Sequence, residues 1–261
     1  MHYLVYFLGP LLLKIAGRKL LLQPAVIFRI GFIAFFASWV VNQVIAGVSL
    51  RAFHLTERSF LYAVIVSFAA GIFEELARYI AFRKCRSFAG NHHRNSSLMY
   101  ALGHNGAETI IVGATLVLIS AVVAYKPDAI SDPALLKQCR ETVALGSGVQ
   151  LYNAFERLLV GLLIHACFSA VVMLGFMRGQ RRFLFIAMAW HFAHDMIGFN
   201  LHRLSDDWMT SKGWVGIIGV LYTYIFVRLY RVMPPPAQPP LLDRQAPPMI
   251  LPSRPTASPV K

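Results

Sequence analysis

Long apolar segments restrict this chain to a fold that keeps most of its length in lipid. About seven such runs are separated by short polar or basic connections, and they lie near residues 2–13, 25–50, 59–82, 97–124, 154–177, 183–200 and 213–230. Because a helix needs roughly 17–25 apolar residues to cross a bilayer, the first run is too short and each of the others is long enough. The pattern predicts an all-α fold, a polytopic transmembrane helical bundle of about seven helices.

Composition agrees with a membrane protein. Hydrophobic residues make up 57% of the chain and charged residues 14%, with a mean hydropathy of +0.56, which excludes an ordinary soluble domain. The formal net charge of +13 would suit nucleic-acid binding, but the basic residues fall between the apolar runs and not along one face. We therefore expect the lipid bilayer as the surroundings and no nucleic-acid partner.

Basic residues alternate between the connections, and this alternation predicts an orientation. The connections that follow the first, third, fifth and seventh runs are the more basic set: Lys14, Arg18, Lys19 and Arg29; Arg83, Lys84, Arg86 and Arg94; Arg178, Arg181 and Arg182; Arg228 and Arg231. The positive-inside rule then places the N-terminus outside and the C-terminus in the cytosol. We expect residues 1–232 to form the transmembrane domain and the proline-rich residues 233–261 to form a disordered cytosolic tail.

Ionisable residues recur inside three of the apolar runs, where charge is costly and usually functional. The stretches are Glu74-Glu75-x-x-Arg78, His104-x-x-x-Glu108 and His191-x-x-His194-Asp195. At the rise of an α-helix, Glu74, His104 and His191 each lie about 11 Å below the cytosolic surface, and His165 lies somewhat deeper. We expect the four helices to surround a polar chamber that opens to the cytosol.

Histidines paired with carboxylates in this chamber suggest a metal site. His104 and Glu108 share a helical face, as do His191 and Asp195, because each pair is spaced by four residues. Imidazole and carboxylate ligands suit a divalent metal, with zinc expected. We predict His104, Glu108, His165 and His191 as metal ligands. The alternative is that each histidine only donates to its carboxylate in a buried structural pair.

The adjacent glutamates point about 100° apart on a helix and should therefore have different roles. One can face the chamber as a general base, while the other pairs with Arg78. The alternative is a Glu-Arg ion pair that only fixes helix packing. Glu156-Arg157, near the outer start of its helix, is interpreted as an interfacial pair.

These motifs, taken in order, resemble a known family. Gly71-Ile72-Phe73-Glu74-Glu75-Leu76-Ala77-Arg78-Tyr79, Gly103-His104-Asn105-Gly106-Ala107-Glu108, Glu156-Arg157 with His165, and His191-x-x-x-Asp195 resemble the YhfC family of bacterial membrane peptidases. That family is similar to the CAAX prenyl protease, bacteriocin-processing and PrsW proteases. The resemblance covers residues from about 69 to 199 and implies a bacterial inner membrane.

The resemblance also implies roles for the site residues. It assigns the general base to Glu74 and Glu75, a metal-binding or water-binding role to His104, and a further histidine with a polar stabiliser to His191 and Asp195. We accordingly predict Glu74, Glu75, Arg78 and Asp195 as catalytic. Glu108 and the spacing of Arg78 depart from the prenyl protease relatives, so a prenylated substrate is not implied.

The predicted function is metal-dependent or glutamate-dependent hydrolysis of a peptide bond near the cytosolic membrane face. Water activated by Glu74 or Glu75 would attack a membrane-anchored or membrane-embedded protein or peptide substrate. One alternative is a proton- or ion-coupled transporter, against which the lack of repeated halves counts. The other is a non-catalytic membrane scaffold or immunity-type protein, for which alanine at the Glu and His positions would leave function intact.

Overall fold

A computed structural model of the protein describes residues 3–56, 59–89, 92–204 and 208–234. The α-helices in these ranges are α1 Leu4–Leu21, α2 Ala25–Ala52, α3 Phe60–Lys84, α4 Arg94–Tyr125, α5 Pro133–Ala144, α6 Ser147–Glu156, α7 Leu162–Arg178, α8 Arg182–Leu204 and α9 Trp208–Val232. The described residues contain no β-strand. Residues 235–261, most of the predicted tail, lie outside the described part of the chain, so its disorder stays a prediction.

Within the described residues, five helical segments are long and apolar enough to cross a membrane. They are α2, α3, α4, the continuous helix Ser147–Arg178 that joins α6 to α7, and Val215–Val232 within α9. Helix α8 is 23 residues long and packs against α3 and α7. The prediction of an all-α polytopic transmembrane bundle is confirmed, and the protein is an integral membrane protein.

Several helix boundaries differ from the sequence prediction. Helix α1 continues past the predicted end at residue 13, since Lys14, Arg18 and Lys19 carry long side chains that extend toward water without breaking a helix. It ends at Leu21, and the C-cap residue Leu22 has a left-handed φ of 53°. Helix α5 lies within the predicted outer loop, where the Asp132 side chain accepts a hydrogen bond from the backbone N–H of Ala134 and so caps its start.

Antiparallel packing brings the basic connections to one end of the bundle, which we call the basic end. There α3 ends, α4 begins, α7 ends and α8 begins, at Lys84, Arg94, Arg178 and Arg182. Asn95 donates to the Leu21 carbonyl at 3.1 Å and accepts from the Tyr230 hydroxyl at 2.7 Å, which ties the ends of α1 and α9 to the same place. The structure therefore groups the connections as the charge pattern predicts, while their side of the membrane stays a prediction.

Glycines allow two helix pairs to approach backbone to backbone. A Cβ on Gly103 of α4 would lie 1.9 Å from the carbonyl oxygen of Phe28 in α2, and one on Gly71 of α3 would lie 2.9 Å from that of Met188 in α8. Small residues are typical where membrane helices pack this closely. Gly103 directly precedes His104, and Gly71 lies one turn before Glu74 and Glu75, so the contacts fix the helices that carry these side chains.

Candidate metal centre

Four helices place titratable side chains at one depth in the bundle. Glu74 on α3 and His104 on α4 lie about ten residues, or roughly 15 Å, from the basic end, and His191 on α8 lies at a similar distance. His165 on α7 lies about one turn deeper. The structure thus places these residues in one cluster, as their positions along the sequence predict.

Glu74 and His104 connect α3 to α4. Nε2 of His104 lies 2.9 Å from Oε2 of Glu74, and the imidazole is 0% exposed. The ring of Phe35 from α2 packs edge-on against it, with 4.8 Å between ring centroids. Nδ1 of His104 is buried and has no hydrogen-bond partner among the described residues. Since buried polar atoms are normally satisfied, this nitrogen is available for a ligand.

His165 lies beside His104, with 4.4 Å between the two ring centroids. Its Nε2 lies 2.8 Å from Oε2 of Glu108, to which it donates, while its Nδ1 is buried without a partner in the described part of the chain. Glu108 also accepts from Nη1 of Arg157 through Oε1 at 2.8 Å. A carboxylate that holds one imidazole nitrogen fixes the tautomer and leaves the other nitrogen free to bind a metal.

Arg157 reaches this site because its helix contains a π-turn at Arg157–Gly161. In a regular α-helix, positions 157 and 165 would point about 80° apart, but the extra residue of a π-turn removes about 100° of rotation. The two side chains therefore lie near one face. Asn105 donates to the Leu158 carbonyl inside the turn at 3.4 Å. The sequence suggested that Arg157 belongs to an interfacial pair. In the structure, Arg157 instead points into the cluster.

A second, fully buried chain of contacts holds His191. Oε1 of Glu75 accepts from the Arg78 guanidinium and from Nδ1 of His191, the latter at 2.9 Å. Both Glu75 and Arg78 are 0% exposed. The guanidinium lies 5.8 Å from the ring centroid of Tyr100 and 5.9 Å from that of Phe168. Glu75 therefore serves as the acceptor that anchors two donors.

The contact with Glu75 turns the other imidazole nitrogen of His191 toward the cluster. Its Nε2 lies 3.9 Å from Oε2 of Glu74 and 3.7 Å from Oδ2 of Asp195. The imidazole stacks on the ring of Phe168, with 4.6 Å between centroids and 13° between planes. His194, a weaker ligand candidate in the sequence, packs its ring edge against Tyr222 instead.

Glu74, His104 and His165 form a group that could hold a metal ion. Each offers one ligand atom, and these three atoms lie within 4.8 Å of one another. Two imidazoles and a carboxylate form a ligand set that zinc accepts, and three protein ligands leave a position for water. The free Nδ1 atoms of His104 and His165 agree with this use, so the donors present fit a divalent metal.

All the residues predicted for the site meet in this cluster, namely Glu74, Glu75, Arg78, His104, Glu108, His165, His191 and Asp195. Within it, Glu74 groups with His104 and His165, whereas Glu108 contacts His165 and Glu75 contacts His191. The predicted catalytic and metal-binding roles of these residues stay predictions. Arg157 was not predicted as a site residue, although its position in the Glu156-Arg157 motif was a signal.

Aromatic side chains pack between α3 and α4 on the basic-end side of the cluster. The ring centroid of Phe82 lies 4.8 Å from that of Phe88 and 4.9 Å from that of Tyr100, and the three residues are at most 1% exposed. Tyr100 lies one turn from His104 on the side toward that end. These rings fill the space between α3 and α4 on that side, and the opening of the chamber at the basic end stays a prediction.

Comparison with known proteins identifies a family for this chain. The family profile described as YhfC intramembrane metalloprotease matches residues 4–217, which is more than half of the chain. No curated protein and no solved structure gives a match. The family indicates a peptidase that uses a divalent metal and acts on a peptide substrate in the membrane. With its His- and Glu-lined cluster inside a helical bundle, the chain belongs to the YhfC intramembrane metalloprotease family.

Proposed function

We propose that this protein is a zinc endopeptidase that cleaves membrane-anchored or membrane-embedded protein substrates, with the metal held by Glu74, His104 and His165. The observation that carries the proposal is the convergence of these three donors, from three helices, within 4.8 Å of one another. Ionisable residues at membrane depth are costly, which favours a functional reason for keeping them together. When bound, the metal supplies a Lewis acid that polarises the substrate carbonyl and activates water.

His191 is the residue that we propose as general base and acid. Its Nδ1–H donates to Glu75 at 2.9 Å, so Nε2, on the side of Glu74, is the nitrogen left for proton transfer. That nitrogen can take a proton from the attacking water and return it to the leaving amine. Asp195, whose Oδ2 is 3.7 Å away, stabilises the positive charge that the imidazole then carries.

Glu75 and Arg78 act as positioning residues in this scheme. Oε1 of Glu75 is engaged by the Arg78 guanidinium and by His191, and the carboxylate is 0% exposed. Substrate therefore has no direct route to Glu75, which makes it less suited to the role of base than His191. Glu108 and Arg157 have the corresponding task for His165, because they hold its Nε2 and direct Nδ1 away from Glu108.

Metal content tests the ligand set directly. We expect about one zinc per chain by mass spectrometry in wild-type protein purified in detergent, since three protein ligands make a complete catalytic site. The Glu74→Gln and His104→Ala variants should lose it. His92→Ala is the matched control, because His92 stacks on Phe176 at the basic end and lies outside the cluster. Retention of stoichiometric zinc by both cluster variants would refute the ligand assignment.

A cleavage assay with quenched fluorescent casein in detergent, combined with the zinc content, distinguishes metal binding from proton transfer. His191→Gln should keep the zinc but lose about 100-fold or more in cleavage rate, the usual effect of removing a general base. His104→Ala should lose both zinc and cleavage, and His92→Ala neither. Wild-type cleavage by the His191→Gln variant would exclude the proposed proton-transfer role. Loss of zinc in that variant would reassign His191 as a ligand.

A further inference from the structure

The exposure of the cluster rises on the side away from the basic end. His104, His165 and His191 are at most 8% exposed in their side chains. Exposure reaches 29% at Glu108 and 27% at Asp195, each four residues farther from the basic end than the histidine on its helix. On both α4 and α8, side-chain exposure therefore increases within one turn.

Arg157 extends this pattern to a third helix. It lies eight residues before His165 in the direction away from the basic end, and its side chain is 45% exposed. Glu108 and Asp195 lie at membrane depth, where hydrocarbon cannot solvate a charged group. Because both carboxylates are partly exposed, water must reach them from the side on which Arg157 lies, whereas the rings of Phe82 and Tyr100 fill the space between α3 and α4 on the other side.

From this asymmetry we infer that the substrate enters the site from the half of the membrane opposite the basic end. The inference rests on the proposed function and specifies its substrate class. With the orientation that the positive-inside rule predicts, the basic end is cytosolic. The substrate is then a membrane-anchored protein whose scissile bond lies in the outer half of the bilayer or just outside it. A peptide presented from the cytosol would meet the aromatic packing of Phe82, Phe88 and Tyr100.

Cysteine labelling tests the route independently of hydrolysis. Single cysteines are introduced in full-length protein on both sides of the cluster, in pairs matched by helix: Ala101→Cys and Ile111→Cys on α4, and Ala187→Cys and Phe199→Cys on α8. Ala101 and Ala187 are 0% exposed on the basic-end side, while Ile111 and Phe199 are half-buried on the other. The native cysteines Cys85, Cys139 and Cys167 are replaced in this background.

A membrane-impermeant maleimide is then applied to right-side-out and inverted vesicles. A separate variant that retains only Cys85, at the basic end of α3, identifies which vesicle face carries that end. Ile111→Cys and Phe199→Cys should be labelled from the face opposite Cys85, at least ten times faster than Ala101→Cys and Ala187→Cys. Labelling after denaturation in SDS controls for the presence of a reactive thiol in every variant.

The alternative outcomes overturn the inference. Labelling of Ile111→Cys and Phe199→Cys from the same face as Cys85 would place the route at the basic end. If Ile111→Cys and Phe199→Cys are labelled from neither face, an open aqueous route is excluded. Zinc content of the same variants reports separately on the metal centre, so a wrong access route and a wrong peptidase assignment give different results.

Discussion

The cluster contains two Arg–Glu–His chains, Arg78–Glu75–His191 and Arg157–Glu108–His165, which make the same contacts but differ in burial. This difference predicts that removing each arginine will have an unequal effect on stability. In the first chain Arg78 and Glu75 are both 0% exposed. In the second, Arg157 and Glu108 are 45% and 29% exposed. Methionine in place of either arginine retains most of the side-chain length and removes the charge. We compare the free energies of unfolding of Arg78→Met and Arg157→Met.

Burial determines how far each substitution lowers the free energy of unfolding. Removing one partner of a fully buried ion pair leaves an uncompensated charge and costs about 3–5 kcal/mol, so we expect this range for Arg78→Met. The pair formed by Arg157 is partly screened, and exposed pairs contribute about 0.2–1 kcal/mol. The double variant Arg78→Met/Glu75→Gln removes both charges and should recover at least about 1 kcal/mol of the loss.

Equilibrium unfolding in mixed SDS and detergent micelles, followed by tryptophan fluorescence, measures these differences. A chelator is present throughout, because a ligand that binds only the folded state would add its own stabilisation. Arg83→Met is the matched control, since Arg83 is an exposed arginine on the same helix as Arg78. Equal losses for Arg78→Met and Arg157→Met, or a double variant less stable than Arg78→Met, would refute the reasoning.

Two further predictions concern the basic-end half of α4 and its packing. Gly103→Ala places a Cβ 1.9 Å from a backbone carbonyl of α2 and should lower the free energy of unfolding by about 1–3 kcal/mol or more. In the control Gly47→Ala, the new Cβ has no neighbour within 4 Å, so the substitution should be neutral or stabilising. SDS unfolding of both variants tests this prediction, and equal effects would contradict it. His93 caps α4 by accepting from the Ser96 N–H through Nδ1 at 3.3 Å, and burial, aided by neighbouring His92, lowers the pKa of His93 below its ordinary value of 6.5. The unfolded state then binds this proton more readily, so stability should fall as pH drops through about 6.5, and His93→Asn, which keeps an acceptor, should lose that pH dependence when unfolding is measured at pH 8 and pH 5.5.

The depth of the site could be predicted from the sequence because helix rise converts residue counts into distance. Charged connections mark where helices α3, α4, α7 and α8 end or begin, and the ionisable residues are about equally far from those marks. Counting is insensitive to an error of two or three residues at a helix end. The grouping of Glu74, His104 and His191 therefore followed from the sequence even where the boundaries were wrong.

The pairing inside the cluster could not be predicted in the same way, because it depends on helix rotation. Glu74 and Glu75 are adjacent and differ by about 100° in direction, so a small rotation of α3 exchanges which of them faces His104 and which faces His191. Arg157 depends on the π-turn, whose extra residue has no distinct hydrophobic pattern. The exposed side of the cluster depends on packing density, which periodicity does not report.

The charges of the cluster give an independent physical reason for a divalent cation. Each Arg–Glu–His chain combines one positive and one negative side chain and is close to neutral when its histidine is neutral. Glu74 and Asp195 contact histidines but form no ion pair with an arginine or lysine in the described part of the chain. Two such carboxylates at membrane depth are costly unless their charge is offset. A divalent metal held by Glu74, His104 and His165 would supply the two positive charges that the arginines do not.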